Sequence, residues 1–538
     1  MVPVISPGLR DAEPGYDLQR RRIASPPDEP VGTIVAFLLD PGHSPTTSWQ
    51  SGQCWTDVGS GPKRPGPARD SGVRGPRRGS LVGLLVLLAA CSATPPPASS
   101  AGPAPPPAQV SLPRSLADPL CNSGRGALLA APTSAVASTL VRALSLPDGD
   151  VLVGTESVGA PPASGVAKLT IRALTPRCRL DARFGHQGIA VLDLPSTLDH
   201  GSSTINGLAR DGSGVVLVGA TATNGYVMKL TAEGNVDGRF GAHGVATVVS
   251  PDPSKFGSEL DRVAVAPTGQ IIVGADDGGA HCCLTTYVAR LDADGRLDRS
   301  FGTGGWSQLL ATGAIMEAVV VRSDGSVLVE LSRIDTGGGT NFVYELDSHG
   351  SVVTRFSDNF NRALEALDRA DPTLQLTQGG YFDDDMAPLA DGGVELVGTG
   401  APDGAGEGQM YLMALRLSAD GSLDSSYGTR GVMRIGAVDG GDVAAVDMPD
   451  GDTVYLDEPW VAPSYGSDGT LRLTFLTARG TLDTRAVVHG VIDLPAPSLL
   501  TGTTPAYSYG QSAAAVSGDY ILLAVATAAG IDVVGLRG

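Results

Sequence analysis

The chain has 538 residues, 72 of them glycine, only 5% aromatic, with a formal net charge of −19. So acidic a chain lacks the basic surface that phosphate contacts need, which excludes nucleic-acid binding. Abundant glycine, few aromatics and no sustained helical period exclude a helical bundle and favour many short strands joined by tight turns.

Residues 1–72 are rich in Pro, Gly and Arg without any period, and are expected to be an untranslated or disordered extension. Residues 73–90 read differently. Arg74, Arg77 and Arg78 form a basic start, and Leu81–Ala90 an apolar run too short to span a bilayer as a permanent helix. Leu88-Ala89-Ala90-Cys91 resembles a bacterial lipobox, which implies lipidation of the Cys91 thiol and cleavage before it. A secretion signal belongs at an N-terminus, so translation is expected to begin near Val73. Residues 91–111 form a Pro/Ala-rich tether with nothing to bury, a semi-extended spacer.

The body, residues 112–538, repeats. Its opening pattern reads LDARFGHQG at Leu180, VDGRFGAHG at Val236, LDRSFGTGG at Leu297 and LDSSYGTRG at Leu423. Weaker copies begin at Asp118, Val352 and Leu482. From Leu180 to Leu482 the intervals run from 55 to 71 residues. A second slot recurs as SLPDGDVLVG, APTGQIIVG, RSDGSVLVE and LADGGVELVG. In the copy at Val236 four apolar runs, Gly244–Val249, Arg262–Ala266, Ile271–Gly274 and Tyr287–Leu291, are separated by residues that tolerate positive φ or fix a turn. A four-stranded meander cannot bury both its faces, so it needs copies of itself as neighbours. Seven units predict an all-β, seven-bladed β-propeller with four antiparallel strands per blade. An open solenoid or two smaller propellers would be the other ways to stack them.

LDxxFGxxG, an apolar strand, xDGxxxVG, a further strand and xADGxLD together resemble the delta-60 repeat family of bacterial secreted and surface proteins. The resemblance covers nearly all of the chain after Asp118 and implies propeller-like blades of no assigned chemistry.

Three local expectations follow. The fifth unit carries an insertion in which Asn359 caps a short helix, with Ala363, Leu364 and Leu367 on one face and Asp371-Pro372 at its end. The insertion should overhang a face of the ring. The strand Gly126–Ala131 should pair with the terminal hairpin around Tyr520–Ala526 and Ile531–Leu536, so that one blade takes strands from distant parts of the chain.

Candidate chemistry is sparse. Cys121 and Cys178 stand where other copies carry Phe or Gly, and outside the cytoplasm they are a possible disulfide. Cys54 falls in the doubted extension. Cys282 and Cys283, beside His281, match no zinc spacing and read as a vicinal disulfide or two thiols. The Asp-Gly turns resemble calcium loops but lack the later carboxylates and sit where hairpins favour Asp-Gly. Asp383-Asp384-Asp385 could attract a cation or a basic partner, or be a solvated loop. His186, His243 and His489 lie in or beside one turn slot and read as repeat furniture. No serine elbow, metalloprotease helix or phosphate loop occurs, so no catalytic or metal-binding residue and no cofactor is assigned.

These features predict a monomeric, lipid-anchored propeller of the bacterial cell envelope, acting as a non-enzymatic binding or scaffolding module for a protein or glycan. The alternative is a propeller enzyme acting on carbohydrate or using a quinone cofactor in its central funnel; a third reading is a calcium-dependent lectin. Ser92, rather than Asp, follows Cys91, so the outer membrane is the expected site if the source has two membranes. Labelled palmitate should mark the wild-type protein and be lost from Cys91→Ser, read by fluorography after membrane fractionation. A Cys91→Ser variant that stays on the membrane contradicts the anchor.

Overall fold

A computed structural model describes residues 127–130, 135–136 and, with breaks, 141–537. The expectations placed on Cys54, Cys91, Cys121, Cys282 and Cys283 fall outside the described residues.

Seven antiparallel sheets form, and each is a blade. In the third blade the strands Glu259–Val265, Ile271–Asp276, Thr286–Leu291 and Trp306–Leu310 run in that order from the axis outward. Its second and third strands are buried on both faces, because a blade lies between two neighbours. The first strands of neighbouring blades touch one another in cyclic order, ending with Ser512–Ser517 against Val141–Ser145. Seven apolar clusters fill the seven joints. The ring is closed.

The repeat is offset from the blade. Val245–Val248, near the start of one sequence unit, is the outermost strand of the preceding blade, paired with Gly225–Leu230. The closing blade therefore takes strands from both regions of the body. Ala127–Ala130 pairs with Gly530–Arg537, with Ala127 opposite Val533 and Ala130 opposite Gly530, as the sequence predicts.

The LDxxFG pattern is explained by what it touches. The glycine after the aromatic donates its N–H to a carbonyl in the next blade's turn: Gly185 to Glu233 at 2.7 Å, Gly241 to Asp294 at 2.8 Å, Gly302 to His349 at 2.6 Å, Gly428 to Arg479 at 2.7 Å. The aromatic ring then lies against the glycine ending that same turn. A Cβ added at Gly295 would come within 2.8 Å of the Phe240 ring, and φ there is +84°. Phe184, Phe301 and Tyr427 approach Gly234, Gly350 and Gly480 in the same way. Each loop is thus a hook from one blade onto the next. It needs an aromatic on one side and a residue without a side chain on the other.

The fourth blade keeps the hook by other means. Its outermost strand is only Val352–Val353, followed by a helix at Thr354–Ala370. Asn359 does not cap this helix; Val353 holds the N-cap, and Asp371 the C-cap. Nor does the helix overhang a face of the ring. Phe356, Phe360, Leu364 and Leu367 are buried in the core between the fourth and fifth blades. Phe356 meets Gly421 where the other hooks place their aromatic. The Asn359 side-chain amide donates to the Asp420 carbonyl at 2.7 Å, standing in for the hook glycine's N–H. Ser357 Oγ donates to the Val343 carbonyl at 2.9 Å, on the strand that Val352–Val353 leaves largely uncovered.

Two glycines separate the hook from ordinary turn strain. Gly269 has nearly the same φ, +85°, but an added Cβ would meet only the Ala293 Cβ at 3.6 Å. Gly269→Ala should cost about 1 kcal/mol for the backbone alone. Gly295→Ala should cost roughly 1–3 kcal/mol more, because the Phe240 ring must move. Denaturant melts of both variants check this, and equal losses would rule the hook out as a stabilising contact.

Candidate functional site

The innermost strands surround the axis, and each has a sheet neighbour on one side only. Their outward-turned N–H and C=O groups need other partners. Arg142, Arg262 and Asp385 stand level, opposite Gly154, Gly274 and Val397 of their second strands. Arg142 Nε donates to the Asn206 carbonyl at 2.9 Å, and Asn206 Nδ2 to the Leu260 carbonyl at 2.8 Å. Arg262 Nε donates to the Glu317 carbonyl, and its guanidinium lies 3.7 Å from the Glu317 carboxylate. The Ala445 N–H donates to Asp385 Oδ2 at 3.0 Å, and the Val516 N–H to Ser145 Oγ at 2.9 Å. Burial pushes the Asp385 carboxyl up, against the pull of the Ala445 and Met386 N–H groups and of Arg262. Elsewhere the innermost strands present Ala143, Ala444, Ala445 and Ala514, all half-buried. The charged belt knits blade to blade.

Asp385 is therefore not the solvated loop residue that one reading of its sequence context suggested: its carboxylate accepts from the Met386 and Ala445 N–H groups. Asp383, Tyr381 and Phe382 lie outside the described residues. His186, His243 and His489 are exposed on the hook loops, away from the axis. His243 and His489 hold φ at 58° and 72°, in the slot that Gln187 and Arg430 fill at 55° and 59°. Backbone geometry accounts for that slot. Among the described residues no group of three His, Cys, Asp or Glu could hold a metal ion. Cys178 is disulfide-bonded.

Sequence reasoning missed a polar cluster buried between the fifth and sixth blades. Glu395, only 1% exposed, stands on a second strand in a slot that the first and third blades fill with Leu152 and Ile272. Arg416 clasps it at 2.7 Å, and the Tyr427 hydroxyl donates to it at 3.0 Å. The Tyr455 hydroxyl donates to the same oxygen as Tyr427. Arg416 also lies over the Tyr427 ring, 4.5 Å from its centroid, and donates to the Ala478 carbonyl of the next blade at 2.8 Å. Burial and the Glu395 charge push both tyrosine hydroxyls up, so they stay protonated and donate. The available signal was the one hook that reads YG instead of FG, in the sequence unit that follows the one carrying Glu395 after its ADGG turn; the offset of repeat from blade puts the two in one blade. The cluster is satisfied and closed; it joins blades.

The two ends of the ring differ. At one end lie the short Asp-Gly turns and the hook segments 175–188, 231–244, 292–305, 418–431 and 477–490, each 14 residues long. At this end of the first blade Asp148, Asp150 and Asp181 surround Arg183, whose guanidinium is 3.8, 3.3 and 2.9 Å from them. The sixth blade repeats the arrangement with Arg485 at 2.5 Å from Asp452 and 2.8 Å from Asp483. At the opposite end the described strands are separated in sequence by as few as two residues, 336–337, and as many as sixteen, 496–511.

No protein-family model and no curated protein matches the chain. Solved structures resemble it in fold. A protein of unknown function from Dyadobacter fermentans is 11% identical, with 76% of this chain and 97% of that one covered, at a TM-score of 0.38. A Hadza microbial sialidase is 9% identical, with 77% and 68% covered, at 0.39. The β-propeller domain of the trilobed protease from Pyrococcus furiosus is 8% identical, with 74% and 94% covered, at 0.36. Such likeness carries nothing about chemistry. The chain is a seven-bladed β-propeller.

Asp150 gives this end a measurable pH response. Burial, then Asp148 and Asp181, raise its carboxyl from 3.8 to about 6, against the pull of Arg183. A carboxyl raised on folding favours the folded state while protonated, and that contribution fades as pH climbs through the folded value. Wild-type stability should therefore carry a component present below pH 3.8 and lost through about 6. Asp150→Asn should lack that loss, so the variant gains on the wild type across this window in urea melts at stepped pH. Parallel profiles would contradict it.

Proposed function

We propose that the chain is a lipid-anchored propeller of the bacterial cell envelope that binds a partner, without catalysis, through the ring face opposite the Asp-Gly turns. The observation that carries this reading is the contrast between the two ends. One end has connections of one length, 14 residues, in five blades, and its turns are occupied in holding blades together. The other has connections of unequal length in sequence, between strands whose ends the sheets hold in place. In repeat proteins such insertions gather on the face that binds. By sequence these connections carry Tyr381, Phe382, Trp460, Tyr465, Tyr507 and Tyr509 among Gly, Ser and Thr, the residue types that serve recognition loops. The tether fits a body held clear of a membrane. The belt around the axis supports the non-enzymatic reading, because its charged groups are engaged in bonds across the joints.

The test uses the full chain solubilised in detergent, probed with isolated cell-wall sacculi and with an immobilised glycan array. Replacing residues 460–469 by a Gly-Ser segment of equal length should lower retention at least tenfold, while Arg296→Ala at the other end leaves it unchanged. Retention untouched by the replacement refutes the face. Turnover of fluorogenic glycosides that disappears in Arg262→Ala would instead make the channel an active site.

A further inference from the structure

The hooks described above join the first blade to the second, and so on round to the sixth. The joint between the closing blade and the first is built differently. The turn of the first blade that should receive the hook runs from Thr175 to Arg179, with Thr175 N–H donating to the Arg179 carbonyl at 2.8 Å and Cys178 N–H to Thr175 at 2.9 Å. The equivalent turn of the second blade makes the same two bonds, Thr231 to Asn235 at 2.8 Å and Gly234 to Thr231 at 2.9 Å. Cys178 thus occupies the position of Gly234. It keeps a left-handed backbone, φ 53°, which a residue with a Cβ rarely adopts. It is 5% exposed and packs in the cluster that joins Ala513, Leu522 and Val533 of the closing blade to Val141 and Val151 of the first. And it is disulfide-bonded.

The partner follows from register. In four blades the hook aromatic stands five residues before the outermost strand: Phe184 before Ile189, Phe240 before Val245, Phe301 before Trp306 and Tyr427 before Val432. The closing blade's outermost strand begins at Ala127, so its aromatic slot is Asn122, and the residue beside it is Cys121. Cys282 and Cys283 fall in sequence between the strands that end at Asp276 and begin at Thr286, neither of which belongs to the closing or the first blade. In sequence Cys54 precedes the tether and Cys91 opens it.

We propose that Cys121 bridges Cys178, that this bridge replaces the aromatic-on-glycine hook at the closing joint, and that it makes ring closure responsive to thiol redox state. In forming it, the two thiols lose two electrons and two protons to a disulfide-bearing oxidant, which becomes a dithiol. A dithiol reductant reverses the step by exchange through a mixed disulfide. The closing strand has four residues and no covalent turn to its sheet neighbour, so the bridge supplies a tie that the other blades obtain from chain connectivity.

The test uses the detergent-solubilised full chain. Peptide mapping without reductant should yield one linked peptide containing Cys121 and Cys178, lost on treatment with dithiothreitol. Reduction should lower Tm by roughly 5 °C and speed proteolysis after Arg125 at least tenfold. Cys178→Gly should show the same drop and no further response to reductant. Adding Asn122→Phe to Cys178→Gly rebuilds the hook and should restore Tm under reducing conditions, an effect that loss of a generic disulfide would not show. Cys178 linked to any other cysteine, or a wild-type Tm indifferent to reductant, overturns the proposal; the wild-type measurements decide it even if the variants fail to fold.

Discussion

Everything in this molecule depends on how one blade is held to the next. A four-stranded meander leaves two apolar faces and an inner edge of unpaired backbone groups, and each must be covered by a neighbour. The seven apolar clusters cover the faces. Direction and register come from the more specific contacts. The hook fixes the first six blades to one another at the turn end, where Phe240 against Gly295 leaves no room for a side chain. The belt of Arg142, Asn206, Arg262 and Asp385 fixes it at the axis, where side chains reach backbone groups of the next strand. Apolar packing supplies the larger share of stability and the hydrogen bonds specify the geometry, in line with about 1 kcal/mol net for a typical intramolecular hydrogen bond.

Much of this was legible in the residues. LDxxFGxxG and the Asp-Gly turns announced a repeat, the period-two runs announced strands, and the shortage of helical pattern excluded other architectures. Ring closure by Ala127–Ala130 could be read because a blade shared between distant strands leaves no sheet edge to shield at the closure. The purpose of the aromatic was not legible. Phe240 and Gly295 are 55 positions apart in the sequence, and only the packing of one blade on the next brings them into contact. The helix shows the same limit. Its C-terminal stop was visible at Asp371-Pro372, a local signal. Its start was not, because Phe356 and Asn359 are placed by Gly421 and Asp420 of the next blade and not by capping chemistry.

The buried cluster at Glu395 separates pattern from energetics. A carboxylate in an apolar slot is unfavourable unless charge and hydrogen bonds compensate it. Here Arg416, Tyr427 and Tyr455 all do so. The substitution of Tyr for Phe in one hook is meaningful only beside that Glu, which stands 32 residues away. Among near-identical repeats, such a matched set distinguishes one joint from the other six. It lets the fifth blade recognise the sixth in a way that Leu or Ile at position 395 could not.

The closing blade also sets an order of events. Residue Ala127 pairs with Val533, a separation that spans nearly the whole body. Blades one to six are made of near neighbours and can assemble as the chain emerges. The seventh cannot exist until the last strands arrive, so the early strand must wait with its edge unpaired. An unpaired edge is a site for the wrong partner, and the wait is longest for a chain delivered residue by residue. In this protein the final act of folding joins its earliest described strand to its latest. Whatever reaches that strand first decides whether the molecule becomes a ring or an aggregate.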